Sequence, residues 1–132
     1  MKSYTDLEQS KKLAEILQLE SADMYYEEVY NLPTAIVGSY ILHNQCMEDK
    51  DYKRLSNPVL SPAWSLAALL NVIPKRIDEF NVLRIDIDNN SFAIWYDEVG
   101  CGVNHKLPNT TRESAVDACV VMIEKLHELN LL

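Results

Sequence analysis

Two short stretches carry residues with metal-ligand chemistry: His43-Asn44-Gln45-Cys46 and Cys101-Gly102-Val103-Asn104-His105. Two imidazoles and two thiolates form a donor set that suits tetrahedral zinc. The spacing argues against it. Zinc pairs usually read as two close cysteines, whereas here each half holds one His and one Cys and the halves lie far apart in sequence. Loop thiols and surface histidines are the plainer reading. Cys101 and His105 also raise a Cys–His nucleophile, for which no third, orienting group can be named. Cys119 falls mid-stripe on a helix and reads as a small core residue.

Asp86, Asp88 and Asp97-Glu98 gather carboxylates that could hold a hard cation or move a proton. Asp86 and Asp88 alternate with Ile85 and Ile87, as the solvent side of any strand would, and no partner base or nucleophile stands out. Gly100-Cys101-Gly102 lacks the later glycine and following helix of a dinucleotide fingerprint. There is no Gly-x-Ser-x-Gly, no His-Glu-x-x-His and no Walker-type lysine. The sequence therefore reveals no catalytic activity and implies no cofactor.

Composition frames these residues. The chain has 132 residues, 48% of them hydrophobic, which suits one α+β domain over 1–132 with one core. Twenty acidic against 12 basic residues give a net charge of −8. Lys11-Lys12, Lys53-Arg54 and Lys75-Arg76 are scattered, so direct nucleic-acid binding is disfavoured, and the acidic surplus would favour a basic protein partner. Three irregularly spaced cysteines fit a reducing compartment. No apolar leader and no run near the ~20 residues of a membrane span is present, so the expected location is the cytoplasm. Oligomeric state and sheet order are not readable.

The elements that must position these residues read as follows. Thr5-Asp6-Leu7-Glu8 forms a capping box that opens an N-terminal helix carrying Leu13, Ile16 and Leu17 and fading near Gln18. Residues 22–30 suit a strand or a helix, and Asn31-Leu32-Pro33 interrupts either. Thr34 to Leu42 reads as a strand covered on both faces. Asn44 to Pro62 is a polar, acidic loop. Ser61-Pro62 serves as N-cap and N1 of a short buried helix that Pro74 ends. A hairpin turns at Asn89-Asn90 in type I′ geometry. It sets Ile87 against Phe92, Ile85 against Ile94 and Leu83 against Tyr96 on one face. Arg84 then faces Trp95, a cross-strand cation–π pair worth about 0.5–1 kcal/mol if exposed. These two residues are the expected interaction surface. A second capping box, Thr110-Thr111-Arg112-Glu113, opens the last helix, whose stripe runs Ala115, Val116, Cys119, Met122, Ile123, Leu126 and Leu129. The whole predicts a small, mostly antiparallel sheet with the N-terminal helix and a long C-terminal helix packed on it, plus the short central helix.

Tyr4 to Leu17, Glu20-Ser21-Ala22-Asp23-Met24-Tyr25, Pro62 to Leu70 and Ala115 to Leu132 resemble small uncharacterised proteins of gut Bacteroidales genomes and their phages. The resemblance covers about half of the chain and implies a phage-borne or mobile-element context without catalytic residues. The leading expectation is a non-enzymatic protein-interaction or regulatory module. The alternatives are a metal-binding protein or small hydrolase centred on His43, Cys46, Cys101 and His105, and an acidic mimic of nucleic acid.

Overall fold

A computed structural model describes residues 2–51 and 57–132. Lys53-Arg54 and the middle of the predicted acidic loop lie outside the described residues. The chain divides into two compact units, Tyr4–Ala68 and Met1–Ser3 with Leu69–Leu132.

In the first unit, helix α1 (Leu7–Ala14) is followed by a 3-10 turn, Leu19–Ser21, and three strands, β1 (Met24–Val29), β2 (Leu32–Val37) and β3 (Val59–Ala63). Helix α2 (Tyr40–Cys46) comes between β2 and β3, and helix α3 (Leu66–Val72), which runs across the boundary at Ala68, follows β3. The sheet is antiparallel in the order β2-β1-β3. Its prolines, Pro33 in β2 and Pro62 in β3, both sit on edge strands, where a missing N–H need not interrupt a ladder.

Tyr30 and Asn31 join β1 to β2 with φ of 50° and 61°, the two positive values a type I′ turn requires. Within residues 22–30, Met24–Val29 is thus a strand. The strand expected over Thr34–Leu42 stops at Val37. Gly38 turns the chain with φ 155°, and Ser39 caps α2 through its side chain to the Leu42 N–H. Nor is β2 covered on both faces, because Leu32 and Val37 are exposed.

Both helix starts read in this half move. Asp6, not Thr5, caps α1: its carboxylate accepts from the Gln9 N–H while the Gln9 side chain accepts from the Asp6 N–H. Thr5 is fully buried and bonded inward, and an interior oxygen cannot also serve an exposed helix end. Ser61-Pro62 belongs to β3, paired with Tyr26 and Tyr25, and Ser65 supplies the hydroxyl that accepts from the Ala68 N–H at the start of α3.

In the second unit, β4 (Asn81–Asp88) and β5 (Ser91–Glu98) form the long hairpin. The short strands β6 (Gly102–Val103) and β7 (Thr110–Arg112) pair with the far side of β5. Helix α4 (Ala115–Glu128) packs against β5 and β7. The predicted stripe is buried at Val116, Cys119, Met122, Ile123 and Leu126, opposite a strand face that buries Phe92, Ile94 and Tyr96. Leu129 is exposed at the helix end.

The expected α+β class and antiparallel pairing hold, but the strands divide between two sheets. The N-terminal helix lies against β3 of the first, and the C-terminal helix against the second. Thr110-Thr111-Arg112 is strand β7 rather than a capping box, and Ser114 caps α4 at the Asp117 N–H. Among the described residues, no helix is long and apolar enough to cross a membrane.

Candidate interaction surface

The hairpin register is the one the pattern dictates: Asp88 faces Ser91, Ile87 faces Phe92, Ile85 faces Ile94 and Arg84 faces Trp95. The turn itself differs. Neither Asn89 nor Asn90 has positive φ, so it is not type I′; the Asp88 carboxylate accepts from the Asn89 N–H at 2.6 Å instead.

The entry to β4 is fixed by Asp78, whose Oδ1 accepts from the Phe80 N–H at 2.7 Å and the Asn81 N–H at 2.8 Å. The Phe80 amide, then the Asn81 side chain and the Asn81 amide, hold the Asp78 carboxyl below the usual carboxylate range.

Strand β4 ends the sheet order, so one of its sides is an edge. Near its start that edge is occupied: Ile77 N–H donates to Asn81 O at 3.1 Å, Leu83 N–H donates to Lys75 O at 2.9 Å, and Arg76 bridges Val82. Leu83 thereby marks which backbone groups point outward. In a strand that direction alternates, so the N–H and C=O of Ile85 and Ile87 point outward as well.

The side chains of Ile85 and Ile87 belong to the apolar face yet are 41% and 74% exposed, because α4 packs against β5 and β7 and leaves this end of β4 bare. Arg84, Asp86 and Asp88 are exposed on the opposite face. The result is an accessible edge with apolar side chains along one flank and charged ones along the other.

Trp95 is half-buried. Its Nε1–H donates to Asp97 Oδ1 at 3.3 Å, and Asp97 Oδ2 lies 3.6 Å from Arg84 Nε. The guanidinium expected over the indole thus pairs with a carboxylate that the indole also uses. Beside Trp95 opens a cleft of about 240 Å³, walled by Ala93, Val103, His105, Asn109 and Thr111 among others. Asn104 orders the loop that forms this wall, accepting from the Lys106 N–H and donating to Asn81 Oδ1. Lys125 of α4 donates to Asn109 O at 2.8 Å. Thr110 also lines the cleft, and its Oγ1 is buried with no hydrogen-bond partner among the described residues.

The four residues with metal-ligand character are placed as follows. His43, on α2, stacks on Tyr25 of β1 with ring centroids 4.2 Å apart and 14° between planes, and its Nε2 lies 3.9 Å from Glu27 Oε2. It joins α2 to the sheet of the first unit. Cys46 ends α2 as an exposed thiol. Cys101 is exposed in a turn between two glycines of positive φ, and His105 lines the Trp95 cleft. Among the described residues, no group of three or more His, Cys, Asp or Glu side chains is placed to hold a metal ion. Cys119 is buried, and that burial pushes its thiol up to about 12, a core residue as read.

Sequence reasoning named Arg84 and Trp95 but missed the edge. The alternation Ile85-Asp86-Ile87-Asp88 marks a solvent-facing strand, but it does not say that the strand's outer backbone lies open. The chain matches no protein-family profile, no curated protein and no solved structure.

Proposed function

We propose that this chain is a non-enzymatic protein-interaction module that takes up an extended segment of a partner protein along the open edge of β4. The observation that supports it is the outward backbone of Ile85 and Ile87 combined with the exposure of both side chains. An incoming strand gains main-chain hydrogen bonds from the first and side-chain burial from the second, the two contributions that strand addition uses. Natural sheets usually blunt such an edge, since it invites pairing with other chains. Here the acidic side chains of Asp86 and Asp88 restrict the pairing without closing it. The resemblance to Bacteroidales and phage proteins would place such a module in a mobile-element context.

Selection of a displayed random nonapeptide library on the immobilised protein tests this reading. Ile87→Pro removes one outward N–H that no bond among the described residues uses, and Ile85→Pro removes the other. Peptides should be enriched on the wild type and lost on either variant, with far-UV circular dichroism unchanged. No enrichment over bare matrix, or equal capture by both folded variants, would overturn the reading.

A further inference from the structure

The edge of β4 also carries information about its occupant, and we infer that it selects a segment in which apolar residues alternate with Lys or Arg, and disfavours a second copy of this chain. This inference rests on the strand-addition reading.

Two observations carry it. The first is charge on the outer flank. Of the three charged residues there, Arg84 is already engaged by Asp97 at 3.6 Å, which leaves Asp86 and Asp88 to set the sign, on a chain of net charge −8. A strand docked at the edge places its side chains directly opposite these positions, close enough that opposite charges attract and like charges repel. The apolar flank, Ile85 and Ile87, calls for apolar residues at the alternate positions of the same segment.

The second observation is geometric and concerns self-pairing. Lys75, Arg76 and Ile77 occupy the edge as far as Leu83, which among the described residues of β4 leaves the outward groups of Ile85 and Ile87 open to a new strand. An antiparallel copy related by a twofold axis can then set Ile85 against Ile87 of the copy, which brings Asp86 face to face with Asp86. Centring the axis on Ile87 sets Asp86 against Asp88. Centring it on Ile85 would pair Arg84 with Asp86, but demands the Leu83 N–H that already donates to Lys75 O. Every register that the free groups allow opposes carboxylates, so the edge repels its own copy and accepts a basic strand.

Three capped heptapeptides separate the outcomes: one alternating Ile and Lys, one alternating Ile and Glu, and one with the first peptide's composition in blocks instead of alternation. Fluorescence anisotropy at physiological salt should show the Ile/Lys peptide binding at least tenfold tighter than either other, with Asp86→Lys reversing the order of the two alternating peptides. Equal binding of both alternating peptides would overturn the charge rule and leave strand addition standing. Binding of the block peptide as tightly as the alternating one would reduce the surface to diffuse electrostatics and overturn the inference. If no peptide binds, both the inference and the reading beneath it fall. A wild-type dimer in sedimentation that Ile87→Pro dissolves would make a second copy the occupant and equally overturn it.

Discussion

The same substitution at two threonines is expected to have opposite effects. Thr5 is fully buried, and its Oγ1 accepts from the Trp64 N–H at 3.1 Å and shares a hydrogen with Ser10 Oγ at 2.7 Å. Its backbone extends the node: Thr5 N–H donates to Trp64 O at 3.0 Å, and the Tyr26 hydroxyl donates to Thr5 O at 2.8 Å. Thr5→Val keeps the shape and removes the oxygen, stranding a buried amide and a buried hydroxyl. Each stranded group costs about 1–3 kcal/mol. Ser10 can fall back on the carbonyl one turn earlier, which leaves the Trp64 amide stranded and an expected loss of about 1–3 kcal/mol. Thr5→Ser keeps the oxygen and should lose only about 1 kcal/mol for the deleted methyl.

Thr110 is the mirror case. Its Oγ1 is buried without a partner among the described residues, so Thr110→Val removes a desolvated group and should gain about 1 kcal/mol. Urea titration followed by far-UV circular dichroism measures all three. A Thr5→Val variant within about 0.5 kcal/mol of wild type would show that the node is not what holds this corner together, and a destabilised Thr110→Val would show that its hydroxyl is satisfied.

Burial pushes Tyr96 up to about 12, and its hydroxyl donates to Pro74 O at 2.7 Å. Since the folded value lies above the unfolded one, this stabilisation is fully present below about pH 10 and is lost as pH rises towards 12. Absorbance titration should show a late tyrosine ionisation, and Tyr96→Phe should reduce its amplitude by one tyrosine. Cys46 and Cys101 should react with a thiol reagent in the native protein at pH 8, while Cys119, buried and pushed up to about 12, should react only on unfolding; counting thiols before and after denaturant checks this. Tyr30 holds φ of 50°, a conformation that costs an ordinary residue about 1–2 kcal/mol and that Asn tolerates. Tyr30→Asn should therefore raise the urea midpoint, by about 0.5–1 kcal/mol in stability.

Where the pattern alone decides geometry, the sequence was legible. The stripe from Val116 to Leu126 and the pairing of β4 with β5 both follow from one apolar face, and a slip of one residue in β5 would turn the buried Phe92, Ile94 and Tyr96 outward. Capping motifs misled because their residue types serve other ends equally well. Thr110 and Thr111 are β-branched and pair with Ile94 and Ala93, while Thr5 spends its hydroxyl indoors. A Ser-Pro pair suits an edge strand as well as a helix start, and only the sheet order distinguishes them. The division of strands between two sheets depends on contacts between residues distant in sequence, for which no local pattern exists. For the candidate surface, the alternation of β4 was visible, but which side of the strand lies open follows only from where Lys75–Ile77 and α4 fall.

The two tryptophans of the chain lie one in each compact unit, Trp64 in the first and Trp95 in the second. Trp64 is fully enclosed and donates to Ser21 Oγ, whereas Trp95 is half-buried beside the cleft. Each unit therefore has its own fluorophore, in surroundings different enough to emit at different wavelengths. With Trp95→Phe and Trp64→Phe as single-emitter proteins, unfolding of the two halves can be followed separately, and whether they melt together becomes a question of two superimposed curves.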